Sequence, residues 1–354
     1  MTIFPSFRSL DLWRTFMHDS GLFNKMALSF HGITNHDMGI ELDEPIREIR
    51  QNPYHHETIW EHTLMVYQLA KQNNCSELTE IGALLHDIGK PFVRRYDEEK
   101  DKAYFMGHEY ASALLSVNFL KDNFPNDIQF MLNAICLHTF GFRGENLHEY
   151  FEDHDLIEYM KELNTLDNHG RLADEINGDD FSFVNPVDYE RLEKNDKKFT
   201  ILIGVPGCGK STWCKENEKE AVFSTDENLI KIASEELGAD ENDYQACWKA
   251  ITENDVNWVK RTQEQALDAL RTHDDVIYDA TNLQRKKRRH LGEMARHKGA
   301  SIHYKLFWRD LNDCLNLGSR ENNKFIPEGA YKSMCRNFSY PKIDEYDTLE
   351  HIII

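Results

Sequence analysis

The chain has 354 residues, 40 % of them apolar, and a formal net charge of −20. That length predicts two domains or three, and the charge argues against an extended basic groove coating long nucleic acid, though not against a local pocket for one phosphorylated end. The first residues carry Arg8, Asp11, Arg14 and Asp19 and no apolar signal segment, no run approaches the ~18 apolar residues of a membrane span, and the seven cysteines form no CxxC pair, so reduced thiols, no membrane and a cytoplasmic setting are expected.

From about Phe7 to Leu172 apolar residues recur at helical spacing, as in Leu64, Tyr67 and Leu69 or Leu114, Leu115, Phe119 and Leu120. Histidines concentrate here, and His86-Asp87 stands in Gly82-Ala-Leu-Leu-His-Asp-Ile-Gly-Lys90. Such a pair is a weak signal alone; its weight comes from spaced partners. His62 lies at the start of an apolar helix, His108 opens another, His138 ends a third and Asp167 lies at the end of a further one. Imidazole with carboxylate suits Mn, Fe, Ni, Co or Zn better than Ca. A metal-free helical bundle is the plain alternative, and His108 and His138 would then cap helix ends. His31 and His36 read as loop residues, and His55 and His56 are candidates for reaching substrate.

This order of ligands resembles the HD phosphohydrolase superfamily. NPYHHETIWEHTLMV and LLHDIGKP resemble, more closely, the HD domain appended to some bacterial tRNA nucleotidyltransferases, over roughly Gln51 to Leu172. The resemblance implies that His62, His86, Asp87 and Asp167 hold one metal, and that His108 and His138 hold a second one bridged by Asp87. Two ions ~3.5–4 Å apart would generate hydroxide and clamp phosphate oxygens. Lys90 and Arg94 would neutralise phosphate.

Between Ala173 and Lys198 the chain turns polar, which places a linker at 186–197 between domains at 1–185 and 198–354. Strands then alternate with helices: Phe199 to Ile203, Ala221 to Ser224, a long helix from Tyr244 to His273, Val276 to Tyr278 and Ser301 to Trp308. This predicts a parallel sheet. The whole is read as an all-α HD-type bundle followed by an α/β domain with a parallel sheet. The tail His351-Ile-Ile-Ile354 reads as an edge strand or an interface.

The first strand runs into Gly204-Val-Pro-Gly207-Cys-Gly209-Lys210-Ser211-Thr212, a match to GxxxxGK[ST] between strand and helix. Its backbone N–H groups and the helix N-terminus suit phosphate, Lys210 the β/γ-phosphates of ATP and Ser211 a Mg²⁺ ion. Asp226, after the second strand, is placed to take a proton from an attacking hydroxyl or to help hold metal; capping the helix from Glu227 is the plainer role. Asp279-Ala-Thr-Asn282 ends the third strand, and Arg285-Lys-Lys-Arg-Arg289 follows, as a solvated face or with one or two cations on substrate phosphate. Asp310 to Arg320 reads as a helix, and Ser319 to Lys324 as a lid whose Arg320 would neutralise the moving phosphoryl group.

GVPGCGKST, STDEN, DATNLQ, and RENNKFIP followed by Met334 resemble the polynucleotide 5′-kinases of bacteriophages and bacterial RNA-repair enzymes, over most of Phe199 to Lys342. The resemblance implies ATP and Mg²⁺ at Lys210 and Ser211, activation of a 5′-hydroxyl by Asp226 and phosphate contacts from Arg320. This chain has Leu229 where such kinases often carry an arginine, and Lys324 is the only candidate for a second lid cation. An HD domain before such a kinase implies healing of RNA or DNA ends, with an RNA ligase acting afterwards. A small-molecule kinase joined to a nucleotide hydrolase, and a kinase with a non-catalytic HD module, share the same motifs.

Overall fold

A computed structural model describes residues 51, 57–171, 196–217, 221–316 and 324–354. His31, His36, His55, His56, Arg320 and most of the expected linker lie outside the described residues.

The first region is helical: α1 (Ile59–Gln72), α2 (Glu77–Leu85), the short α3 (Lys90–Val93), α4 (His108–Leu115), α5 (Val117–Asn123), α6 (Ile128–Leu137) and α7 (His154–His169). Local chemistry fixes the starts. Thr58 and Glu61 form a reciprocal capping box on α1, and Ser76 and Asp153 cap α2 and α7 through side-chain oxygens. The expected helix through Phe119 is broken at Ser116, whose hydroxyl donates back to Ser112 O at 2.8 Å. A two-stranded hairpin, β1 (Arg95–Asp97) and β2 (Lys102–Tyr104), interrupts the helical pattern unexpectedly.

The second region is a parallel five-stranded sheet of β3 (Lys197–Ile203), β4 (Val222–Ser224), β5 (Asp275–Asp279), β6 (Ala300–Trp308) and β7 (Thr348–Ile353), in the order β4-β5-β3-β6-β7. The apolar tail is thus the outer strand, pairing with β6. Around the sheet lie α8 (Lys210–Glu216), α9 (Thr225–Leu237), α10 (Tyr244–Glu253), α11 (Trp258–Ala269), α12 (Arg285–Arg296), α13 (Leu311–Asn316) and α14 (Glu328–Asn337). The long helix expected from Tyr244 to His273 is two. Asp255 adopts φ 51°, and the Asn257 side chain accepts from Lys260 N to start α11. The cap of α9 is Ser224 rather than Asp226, which lies inside the first turn.

The two regions share one apolar core. The Tyr110 ring on α4 stacks on Phe338, with centroids 3.7 Å apart and planes at 9°. The Tyr340 hydroxyl donates to Asn133 Oδ1 on α6 at 2.8 Å, and Arg336 donates to Val93 O at 3.2 Å. Gly107, at φ 81°, caps α4 where α14 passes: a Cβ there would lie 2.4 Å from Cys335 O and 2.6 Å from Arg336 Cα. Gly299 has a similar φ of 80° with open space around it. Gly299→Ala therefore isolates the cost of the backbone conformation, ~1 kcal/mol or so. Gly107→Ala is expected to lower the thermal unfolding midpoint clearly further, because rigid backbone must also move; equal shifts would show that the contact between the regions is soft.

Candidate metal centre and phosphate-binding site

His86 and Asp87 follow directly on α2, His108 opens α4, His138 follows α6, and His62 and Asp167 lie on α1 and α7. All six are buried. Each imidazole is oriented by a backbone carbonyl: Nδ1 lies 2.9 Å from Gly170 O for His62, 2.8 Å from Ala83 O for His86, 2.8 Å from Phe105 O for His108 and 2.8 Å from Ile135 O for His138. A carbonyl can only accept, so each Nδ1 carries a proton and Nε2 is the nitrogen turned inward, a ligand atom whenever it is unprotonated.

The lone pairs converge on Asp87. Oδ2 lies 3.5 Å from His62 Nε2 and 3.3 Å from His86 Nε2; Oδ1 lies 3.2 Å from His108 Nε2 and 3.7 Å from His138 Nε2. Asp167 Oδ1 closes the first half at 2.9 Å from His62 Nε2, and the Nε2 atoms of His108 and His138 face each other at 3.2 Å. His62, His86 and Asp87 form one possible ligand group; Asp87, His108 and His138 form another. Acceptors facing acceptors in a buried site require positive charge between them, and His86 Nε2 and Asp87 Oδ1 have no hydrogen-bond partner. The residues therefore fit one or two divalent cations, with Asp87 shared. Burial opposes ionisation of Asp87, but the Lys90 ammonium and His86 hold it well below the usual carboxylate range. Burial likewise opposes the charge on Asp167, and His62 leads the groups that hold it low. Lys90 Nζ lies 2.5 Å from Asp87 Oδ2 and 2.6 Å from Gln51 Oε1; Arg94 instead lies over the Tyr96 ring, 5.8 Å from its centroid.

In the second region Gly204, Gly207 and Gly209 form the turn between β3 and α8. Gly209 has φ 96°, a conformation that favours glycine; the Ile354 Cδ1 that a Cβ would meet at 2.1 Å is the end of a flexible side chain and could give way. Lys210 Nζ is buried in the loop, donating to Gly204 O and Val205 O at 2.9 Å each. Burial opposes its charge, yet Cys208, Asp279 and Asp226 keep its pKa above the usual lysine value. Ser211 Oγ donates to Asp279 Oδ2 at 2.8 Å, and Thr212 follows on α8, exposed. Asp279 was not among the expected site residues. Its strand is the neighbour of β3, with Asp279 opposite Leu202, and sheet order is what brings it to the loop. Burial raises its pKa, against the pull of Lys210 and Ser211. Arg309 Nη1, 3.3 Å from Gly207 O, and the Tyr331 hydroxyl, 3.1 Å from Pro206 O, also brace the loop and were not expected.

Asp226 stands at the rim, its side chain 52 % exposed. Its Oδ1 accepts from the Tyr244 hydroxyl at 3.1 Å, and the Lys324 ammonium meets Oδ2. Leu229 is fully buried in a small apolar cluster with Tyr244 and Ile251 that ties α9 to α10. The expected basic face of α12 is largely consumed internally: Arg288 is buried against Glu345, Arg285 pairs with Asp344 and Glu345, and Arg289 with Glu293.

Comparison with known proteins agrees with this division. Residues 59–178 match the family described as HD domain, and residues 199–341 match one described as AAA domain. The CC-adding tRNA nucleotidyltransferase of Thermus thermophilus is 31 % identical over 83 residues, a stretch covering 23 % of this chain and 19 % of that enzyme. A crystal structure from Chloroflexus aurantiacus, provisionally named a kinase, aligns over 45 % of this chain and 85 % of its own at 12 % identity, with a TM-score of 0.31. A stretch similar to an HD domain, with a buried cluster that could hold a divalent metal, is thus joined to a P-loop region similar to an AAA domain, whose loop suits nucleotide phosphate and Mg²⁺. No helix among the described residues is long and apolar enough to cross a membrane.

If Asp87 is shared by both halves, Asp87→Ala will abolish metal retention, whereas His138→Ala will lower the metal-to-protein ratio while retaining the ion held by His62, His86 and Asp167; elemental analysis of the purified variants reads both. If Asp279 orients Ser211 toward the nucleotide's metal, Asp279→Asn will raise the Mg²⁺ concentration needed for half-maximal ATP turnover by ~10–100-fold. An unchanged Mg²⁺ requirement would leave Asp279 a purely structural hydrogen-bond acceptor.

Proposed function

We propose that this chain heals nucleic-acid ends, phosphorylating 5′-hydroxyls in the P-loop region and removing 2′,3′-cyclic or 2′/3′-phosphates in the HD region. The observation that carries the reading is the placement of Asp226. It is a half-exposed carboxylate beyond the phosphate loop, which supports an acceptor hydroxyl approaching from solvent.

In this reading Lys210 leaves its carbonyl partners for the β/γ-phosphate oxygens, and Ser211, oriented by Asp279, serves the Mg²⁺ site. Asp226 takes the proton of the 5′-hydroxyl. The 5′-oxygen forms a bond to the γ-phosphorus as the bond to the β,γ-bridging oxygen breaks, and ADP departs. General base action of this kind contributes ~10²–10⁴-fold. Arg320 is the proposed lid cation, and Lys324 lies at the hydroxyl's point of entry, where it has to release Asp226 before the proton can pass.

In the HD region His62, His86, Asp87 and Asp167, with His108 and His138, would hold the divalent cations. Those cations supply Lewis acidity and a lowered pKa for bound water. The carbonyl-fixed imidazoles keep the ligand lone pairs aimed without reorganisation. Lys90, beside Asp87, offers its ammonium to a phosphate oxygen. Water adds to phosphorus and its proton ends on the 2′- or 3′-oxygen whose bond breaks; one such hydrolysis frees a monoester phosphate, and a cyclic phosphate needs two.

Ribonuclease cleavage that leaves a 5′-hydroxyl and a cyclic phosphate would create substrates for both centres, and an RNA ligase could act on the products. The test uses an oligoribonucleotide bearing both termini, with ATP and a divalent metal, and mass spectrometry of each end. Lys210→Ala is expected to abolish 5′-phosphorylation and spare phosphate removal; Asp87→Ala is expected to do the reverse. Loss of both activities in either variant would overturn the two-centre reading. Preference for free nucleosides over 5′-hydroxyl oligonucleotides would overturn the polymer.

A further inference from the structure

Among the described residues, the exposed large apolar side chains are Tyr96, Met106, Trp248, Met294 and Phe325. Trp248 and Phe325 both belong to the corner occupied by Asp226. Trp248 follows Tyr244 by one helical turn on α10, with ring centroids 6.5 Å apart and planes at 23°. The Tyr244 hydroxyl is the group that holds Asp226. Trp258, at the start of α11, meets the Trp248 ring edge-on at 5.3 Å and 75° and so supports its plane. On the segment leading into α14, the Lys324 ammonium reaches Asp226 and lies 4.8 Å from the centre of the Tyr244 ring. The next residue is Phe325, 71 % exposed, its carbonyl held by Gln245 Nε2 at 2.9 Å.

A carboxylate suited to activating a hydroxyl therefore continues, through Tyr244, into an exposed indole held at a set angle, with a cation at the junction. We propose that Trp248 is a stacking platform for the base of the nucleotide whose 5′-hydroxyl meets Asp226. The inference rests on the polymer reading above and names the part of the substrate that this corner grips. Aromatic faces hold bases with little regard to sequence. The neighbouring turn carries Asp240, Glu241 and Asp243, so the corner is a poor seat for a long run of phosphates and a better one for a terminal base.

The experiment uses the full chain, ATP, and two 5′-hydroxyl oligonucleotides that differ only in whether the first nucleotide carries a base. Wild-type enzyme is expected to show an acceptor KM ~10-fold higher for the abasic end, about the size of one aromatic–base stack. Trp248→Ala should raise the KM for the normal end by a similar factor and add nothing further for the abasic one, while Trp248→Phe recovers most of the loss. The ATP KM serves as the reference for an intact phosphate loop. Equal KM values for the two ends on wild type, or losses in Trp248→Ala and the abasic end that simply multiply, would overturn the platform alone. Failure of wild type to phosphorylate either oligonucleotide would overturn the polymer reading and the platform with it.

Discussion

The arrangement depends on one electrostatic constraint: two buried carboxylates, one of them met by the Lys90 ammonium, face the inner nitrogens of four imidazoles. Backbone carbonyls at Gly170, Ala83, Phe105 and Ile135 fix the protons of four histidines on the outer nitrogens. What remains inside is a set of electron pairs and the negative charge on Asp87 and Asp167. Leaving such a set uncompensated in a low-dielectric interior costs several kcal/mol per group. The helices of the first region are therefore folded around a place for positive charge. Asp87 sits at its middle because each of its oxygens faces a different histidine pair.

The second region leans on this site from outside, through α14. At one turn the Tyr331 hydroxyl of that helix touches the carbonyl of Pro206 in the phosphate loop. At its end Cys335 and Arg336 close over Gly107, the residue before His108. Just beyond, Phe338 stacks on Tyr110 and Tyr340 bonds Asn133, on the helices that carry His108 and lead to His138. His62, His86 and Asp167 stand on elements braced within their own bundle. The second pair of histidines thus borrows part of its support from the P-loop region, so the histidine cluster and the phosphate loop are spatially separate but mechanically joined.

The fold class was legible from periodicity and from the change of pattern near Lys198, and the structure gathers four of the metal-ligand candidates, His62, His86, His108 and His138, around Asp87, with Asp167 against His62. These were readable because spacing along helices carries the information. What sequence could not supply was lateral order. Asp279 stands in a strand end already noted, yet only the placement of β5 beside β3 brings it to Ser211. Tyr244 reaches Asp226 across α9 and α10 for the same reason. The break at Asp255 was missed because a single left-handed residue inside a long amphipathic stretch leaves the apolar spacing nearly intact.

The fate of the basic run at Arg285 to Arg289 joins composition to function. Arg288 is fully buried, bonding Glu345 and the carbonyls of Asn282 and Leu283, and so pins the turn that follows Asp279. Arg285 and Arg289 have carboxylate partners of their own. Of the run, Arg288 fixes the turn after β5 and two more cations are neutralised by carboxylates, which leaves only Lys286 and Lys287 as exposed charge with no carboxylate beside them among the described residues. A chain of net charge −20 is left to recognise phosphate at points: the loop around Lys210, the cluster around Asp87, and Lys324 beside Asp226. Point recognition suits the ends of a nucleic acid, where one phosphate or one hydroxyl is the whole target. Flat aromatic surface beside Asp226, in place of another row of lysines, fits that proposed reading, because a ring can hold a base without adding charge.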